Sequence, residues 1–345
     1  MACAHQYWLR VHQGETGVGL QYTNRLHHIS TSLPNPEKQR PSLLFFIGKQ
    51  FKGRALRALF PGNTISNCRK YGISNICVHE TTRNDDHPTL IADSSPDYAQ
   101  VKLRGSKDTC HETVTHPVAW LVDGNGGPKQ QDLADHVLAR LLPLFIDVLC
   151  IFAQDCGGLD GVVEMLAAWT ARASASSLPG AVRPRLLVVA SIPGDAFNSE
   201  ALRFRLRVLS DLKFLELFSS LNVVNLLGTG RIPTRDHFSG LIQVLQNETH
   251  LMRAERVNAH TLFSMIHIAA FFDTALRQFA ASPLQTFDFI HCAREDHSVS
   301  PDFQHHITTF MSLCSGYGFP DNILWDFIAS VIVLDSFPPD MHSKC

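Results

Sequence analysis

Four residues, Gly48, Gly53, Arg54 and Asp93, have types and spacings that could handle a phosphate group. The segment Gly48-Lys49-Gln50-Phe51-Lys52-Gly53-Arg54-Ala55 follows the short apolar run Leu43–Ile47 and leads into a helical pattern. Its two glycines have the spacing of GxxxxGK[ST], a loop whose backbone N–H groups cradle phosphate between a strand and a helix. The two reactive positions differ from that pattern. Arg54 stands where a lysine meets the β- and γ-phosphates, and a planar guanidinium pairs with phosphate in another geometry. Ala55 stands where a hydroxyl ligates Mg²⁺, and a methyl group binds no metal. The same glycines also suit an ordinary tight strand-to-helix turn.

Asp93 ends the run Leu90-Ile91-Ala92-Asp93, three apolar residues and a carboxylate, as in a strand-end acid that holds Mg²⁺. It equally suits an aspartate that caps a turn. Three residues on, Pro96 replaces the glycine of a DxxG segment, and proline has no N–H to offer a γ-phosphate. After the later run Val189-Ala190-Ser191-Ile192, where guanine is read by Asn-Lys-x-Asp, Asp195 is the one nearby carboxylate and Pro193-Gly194 breaks the register. Guanine specificity is unsupported.

Cys156, in Asp155-Cys156-Gly157-Gly158, lies between a strand and a helix, where a helix N-terminus favours a thiolate nucleophile. A small residue in a glycine-rich turn is the plainer role. Cys68, Cys77 and His79, or His305 and His306, lack the paired spacings of structural zinc sites, so no metal is expected. Arg203, Arg205 and Arg207, with Glu200 and Asp211 nearby, read as a solvated helical face. Trp169 and Trp325 sit on apolar helical faces and read as core.

To position these residues the chain must alternate strands and helices. Apolar runs at 43–47, 75–82, 89–93, 118–122, 147–153, 185–192 and 221–227 read as strands. Residues 55–60, 132–145, 161–173, 198–218 and 234–256 read as helices, and 260–281, 302–314 and 322–335 extend the helical pattern beyond the last strand. The expected fold class is α/β, a doubly wound, mostly parallel sheet of G-domain-like P-loop type followed by an α-helical subdomain. The expected divisions are a polar lead-in with one early strand at 1–41, the sheet domain at 42–256 and the helical subdomain at 257–345.

The bulk numbers fit a globular protein. Of 345 residues, 45% are hydrophobic and 18% charged, so a sizeable core can form. Thirty basic residues against 32 acidic ones leave a net charge of -2, without the basic excess of a nucleic-acid binder. The nine cysteines include no CxxC, and the first residues carry no apolar run of signal-peptide type, which points to free thiols and a cytoplasmic location. No apolar run approaches the roughly 20 residues of a membrane span.

The segments PSLLFFIGKQFKGRALRALFPG, HPTLIAD, DVLCIFAQDCGG, RPRLLVVASI, FFDTALRQFA, FDFIHCARED and SVIVLDSFPPDMH, spread over roughly residues 41–342, resemble the degenerate GTPase-like region of fungal multidomain proteins. In those proteins the region often precedes a patatin-like phospholipase domain. The resemblance implies a pseudo-GTPase that serves as a binding or regulatory module, with protein partners meeting its helical C-terminal region. A purine nucleotide held without strong Mg²⁺ dependence is the ligand such a frame could take. The sequence holds no GxSxG elbow, so serine lipase activity is not carried over. Two alternatives stay open: an atypical nucleotide hydrolase using Arg54 and Asp93, and a cysteine-based accessory enzyme of small-molecule metabolism using Cys156.

Overall fold

The computed structural model describes residues 7–14, 17–63, 73–96, 113–118, 120, 130–172, 177–226, 234–294 and 302–336. In chain order the strands and helices are β1 (Leu9–Gly14), β2 (Gly17–Thr23), α1 (Arg25–Ser32), β3 (Ser42–Ile47), α2 (Gln50–Leu59), β4 (Asn75–Val78), β5 (Thr89–Ser94), β6 (Thr113–Pro117), α3 (Gln130–His136), β7 (Val148–Phe152), α4 (Gly158–Thr170), β8 (Arg185–Ala190), α5 (Gly194–Asp211), β9 (Ser220–Asn225), α6 (Thr234–Asn258), α7 (Met265–Ala281), α8 (Phe289–Arg294), α9 (Phe303–Gly316) and α10 (Asp321–Ser336). They form two compact units, Met1–Phe287 and Asp288–Cys345.

The first unit is α/β. Its main sheet has six strands in the order β4-β5-β3-β7-β8-β9, all parallel except β4, which runs antiparallel to β5. The continuous apolar runs explain the central places. Strands covered on both faces need apolar residues at every position, and every residue of β3 and β7 is buried. On one face Leu44, Phe46, Val148, Cys150 and Phe152 meet Leu56 of α2 and Phe238, Leu241 and Leu245 of α6. Phe45, Ile47, Leu149 and Ile151 alternate to the opposite face and are buried too.

Ion pairs fasten α6 across the sheet's amino edge. Asp147 accepts hydrogen bonds from Leu43 N at 2.6 Å and Arg256 Nε at 2.5 Å, and Glu248 pairs with Arg185 at 2.5 Å.

The structure departs from the expected divisions at both ends of this unit. β1 and β2 pair antiparallel, and β6 joins β2 to make a second sheet, β1-β2-β6. The pairing partner lies far along the chain, so local pattern does not disclose it. Just upstream of the strand expected at 118–122 lies β6. Val118 and Trp120 lie outside it, and the other three residues fall outside the described ones. The Thr-Val-Thr run of β6 suits an antiparallel edge strand. The boundary expected at residue 256 falls instead at 287, because α7 packs into the first unit. The Phe272 ring lies tilted against Trp8, with centroids 4.6 Å apart, and edge-on to Phe145 at 5.4 Å.

The expected helix at 132–145 is broken in type. α3 passes into a π-helical turn, Val137–Leu141, and a 3₁₀ turn, Leu142–Leu144, at Pro143.

The second unit is helical among its described residues. Cys314, Leu324 and Ile328 pack with Ile307, Phe310 and Met311 between α9 and α10. Trp169 is buried as expected, but Trp325 is 57% exposed, because Leu324 and Ile328 form the inward stripe of α10. No helix among the described residues is long and apolar enough to cross a membrane.

Candidate functional site

β3 lies inside the sheet, with β5 on one side and β7 on the other, so connections leave its neighbourhood in both directions. Open parallel sheets hold ligands in the crevice this creates at the strands' carboxyl ends. The register sets Ile47, Ser94 and Ile151 level there. The turns that follow these three strands therefore build the site.

The turn after β3 is two residues long, Gly48 and Lys49, and α2 begins at Gln50. Gly53 thus lies in the helix, where its N–H donates to Lys49 O at 3.1 Å. Gly48 and Gly53 do not share one loop, as the phosphate-cradle spacing implied. Arg54 projects from α2 into solvent, and Ala55 is fully buried. The helix sets this phase, since its buried stripe is Lys52, Ala55, Leu56 and Leu59.

Lys52 is the residue that the motif reading overlooked. Its side chain is only 6% exposed, and its ammonium donates to Asp93 Oδ2 at 2.7 Å and to Ser94 O at 2.6 Å. The signal was present, because spacings of three and four place Lys52 on the core face. A buried ammonium needs an anion, and the strand-end aspartate supplies it.

Asp155 is the second residue missed. β7 ends in a 3₁₀ turn, Ala153–Cys156, and Gly157 and Gly158, the residue before α4 and its first residue, both adopt left-handed φ, +87° and +81°. Such a reversal suits glycine. It aims Asp155 back at the start of α2, where the carboxylate accepts three backbone N–H bonds. Oδ2 takes Lys49 N at 2.7 Å and Lys52 N at 2.8 Å, and Oδ1 takes Phe51 N at 3.1 Å. These are amides that a helix start leaves without intrahelical partners, and the helix dipole favours an anion there. The approach is close enough to need Gly48, where an added Cβ would sit 2.7 Å from Asp155 Oδ2 and 2.8 Å from Lys52 Cβ.

The crevice is tied on its other side as well. Gln154 Nε2 donates to Ser191 O at 3.2 Å. Asn225 Oδ1 accepts from Ile192 N at 3.0 Å, and its Nδ2 donates to Ile192 O at 2.9 Å. The segment after β8, where a base-reading motif was sought, is thus bound to the end of β9.

Cys156 is half-buried beside Asp155. Its carbonyl lies so close to Gly161 that a Cβ there would fall 1.9 Å from the oxygen. Of the residues weighed for metal, Cys68 lies outside the described residues. Cys77 Sγ accepts from Asn63 Nδ2 at 3.7 Å, and burial pushes its thiol up to about 11. His79 lies edge-on to Phe60, and burial lowers its pKa. No group of three His, Cys, Asp or Glu side chains that could hold a metal occurs among the described residues.

The structure therefore brings Gly48, Asp93, Lys52 and Asp155 together and leaves Arg54 outside. Chemically, the arrangement is two self-satisfied charges, a carboxylate on a helix start and an ammonium on a strand-end acid. No protein-family model matches this chain, and no curated protein is found similar to it.

Proposed function

We propose that this protein is a catalytically degenerate GTPase-like frame, a pseudo-GTPase that acts as a binding or regulatory module and does not hydrolyse nucleotide. The observation that carries this is the Asp155 carboxylate on the amides of Lys49, Phe51 and Lys52. An anion at that place does for the turn what a phosphate does in an active relative. A nucleotide phosphate must displace a tethered carboxylate, which is present at high effective concentration. Lys52 supports the same reading, because its ammonium occupies the Asp93 oxygen that a Mg²⁺ site needs. The doubly wound order, with the β3–α2 turn and Asp93 on neighbouring parallel strands, supports a G-domain ancestry. The hydrolase alternative has less in its favour, since Arg54 is exposed on α2 and Asp93 is paired.

Calorimetry and thermal shift with GTP, GDP and ATP, with and without Mg²⁺, test the proposal. It expects no Mg²⁺-dependent binding and no phosphate release. Mg²⁺-dependent turnover would overturn it. Binding without Mg²⁺ would keep the frame as a nucleotide sensor whose metal site is lost.

A further inference from the structure

Helix α5 buries one stripe and exposes another. Ala201, Phe204 and Val208 face the core, whereas Leu202, Leu206 and Leu209 are 58%, 60% and 54% exposed. The exposed leucines recur at spacings of four and three, the pattern of a helix–helix seam. Single exposed leucines are ordinary, but three in register on one face form a patch.

The residues beside this seam indicate what covers it. Arg203 and Arg205 stand on its two flanks, both exposed, and neither is paired with a carboxylate among the described residues. Arg207 lies off the seam and is paired with Asp160. The other charged side chains described on α5, Asp195 and Glu200, lie toward its amino end. A second copy of α5 would set arginine against arginine, which disfavours self-association.

We propose that the outer face of α5 is a docking surface for an acidic amphipathic helix of another protein. The partner's apolar stripe covers Leu202, Leu206 and Leu209, and its carboxylates meet Arg203 and Arg205. This surface is separate from the Asp155 crevice and needs no nucleotide.

The test uses the full-length chain and two synthetic helical peptides with leucines at alternating spacings of four and three. One carries glutamates beside the leucines and the other carries lysines. Fluorescence anisotropy is expected to show the glutamate peptide binding at least about tenfold more tightly than the lysine peptide. Leu206→Glu should abolish that binding, and Arg203→Glu/Arg205→Glu should invert the preference. These side chains are exposed, so the variants should keep the parent's unfolding midpoint, which separates lost binding from lost fold. Equal affinity for both peptides, or no affinity for the glutamate peptide, would overturn the proposal. So would self-association that Leu206→Glu removes.

Discussion

The ammonium of Lys52 lies 2.7 Å from the carboxylate of Asp93, and both side chains are almost wholly shielded from water. Removing one member of such a pair strands the other charge, at a cost of about 3–5 kcal/mol. Lys52→Met and Asp93→Asn should each destabilise the protein on that scale in urea unfolding. The double variant should be less destabilised than the sum of the two, because neither charge is then stranded. Additive losses would show that the two groups are not coupled.

Asp155 is half-buried, so its three hydrogen bonds count at the lower end for charged acceptors. Asp155→Ala should cost roughly 1–3 kcal/mol. Asp155→Asn, which keeps one oxygen, should cost less. If the vacated amides still favour an anion, inorganic phosphate should raise the midpoint of the alanine variant more than that of the parent. An equal rise in both would mean only general salt stabilisation.

Gly48→Ala should destabilise by about 1–3 kcal/mol, because the new methyl meets Asp155 Oδ2, Lys52 Cβ and Phe152 Cβ. Gly161→Ala should cost more, since its methyl meets the fixed carbonyl of Cys156. Gly62→Ala, with open space at that position, is the control in the same unfolding series.

His136 gives a pH signature. Burial, then Arg172 and Arg140, lower its pKa from 6.5 to about 4, so the folded protein keeps the ring neutral while the unfolded chain protonates it. Its contribution to stability is complete above pH 6.5 and is lost as pH falls from 6.5 toward 4. His136→Gln should therefore show a shallower loss of stability over that window. Parallel curves for variant and parent would remove His136 as a source of the slope.

The sequence disclosed the main sheet because its strands are covered on both faces and so read as unbroken apolar runs. β3, β7 and β8 are of this kind. It hid the third strand of the second sheet, since β6 pairs with β2 far back along the chain and nothing local announces so distant a partner. In the site, Asp93 was legible from its place at a strand end. The glycine spacing misled, because it counted residues without asking where α2 begins. Lys52 was legible from the helical stripe that carries it inward. Asp155 required the left-handed turn at Gly157 and Gly158, which fixes a direction that no spacing encodes.

The ring contact of Trp8 with Phe272 joins nearly the first described residue of the sheet-bearing unit to its last long helix. On a ribosome adding roughly 5–20 residues per second, the amino-terminal strand pair leaves the exit tunnel well before α7 exists to cover it. Trp8 and Tyr22, whose rings meet Phe272 in the finished protein, therefore lack that partner until α7 has been made. The contact between the Trp8 and Phe272 rings can therefore form only after translation has passed α7.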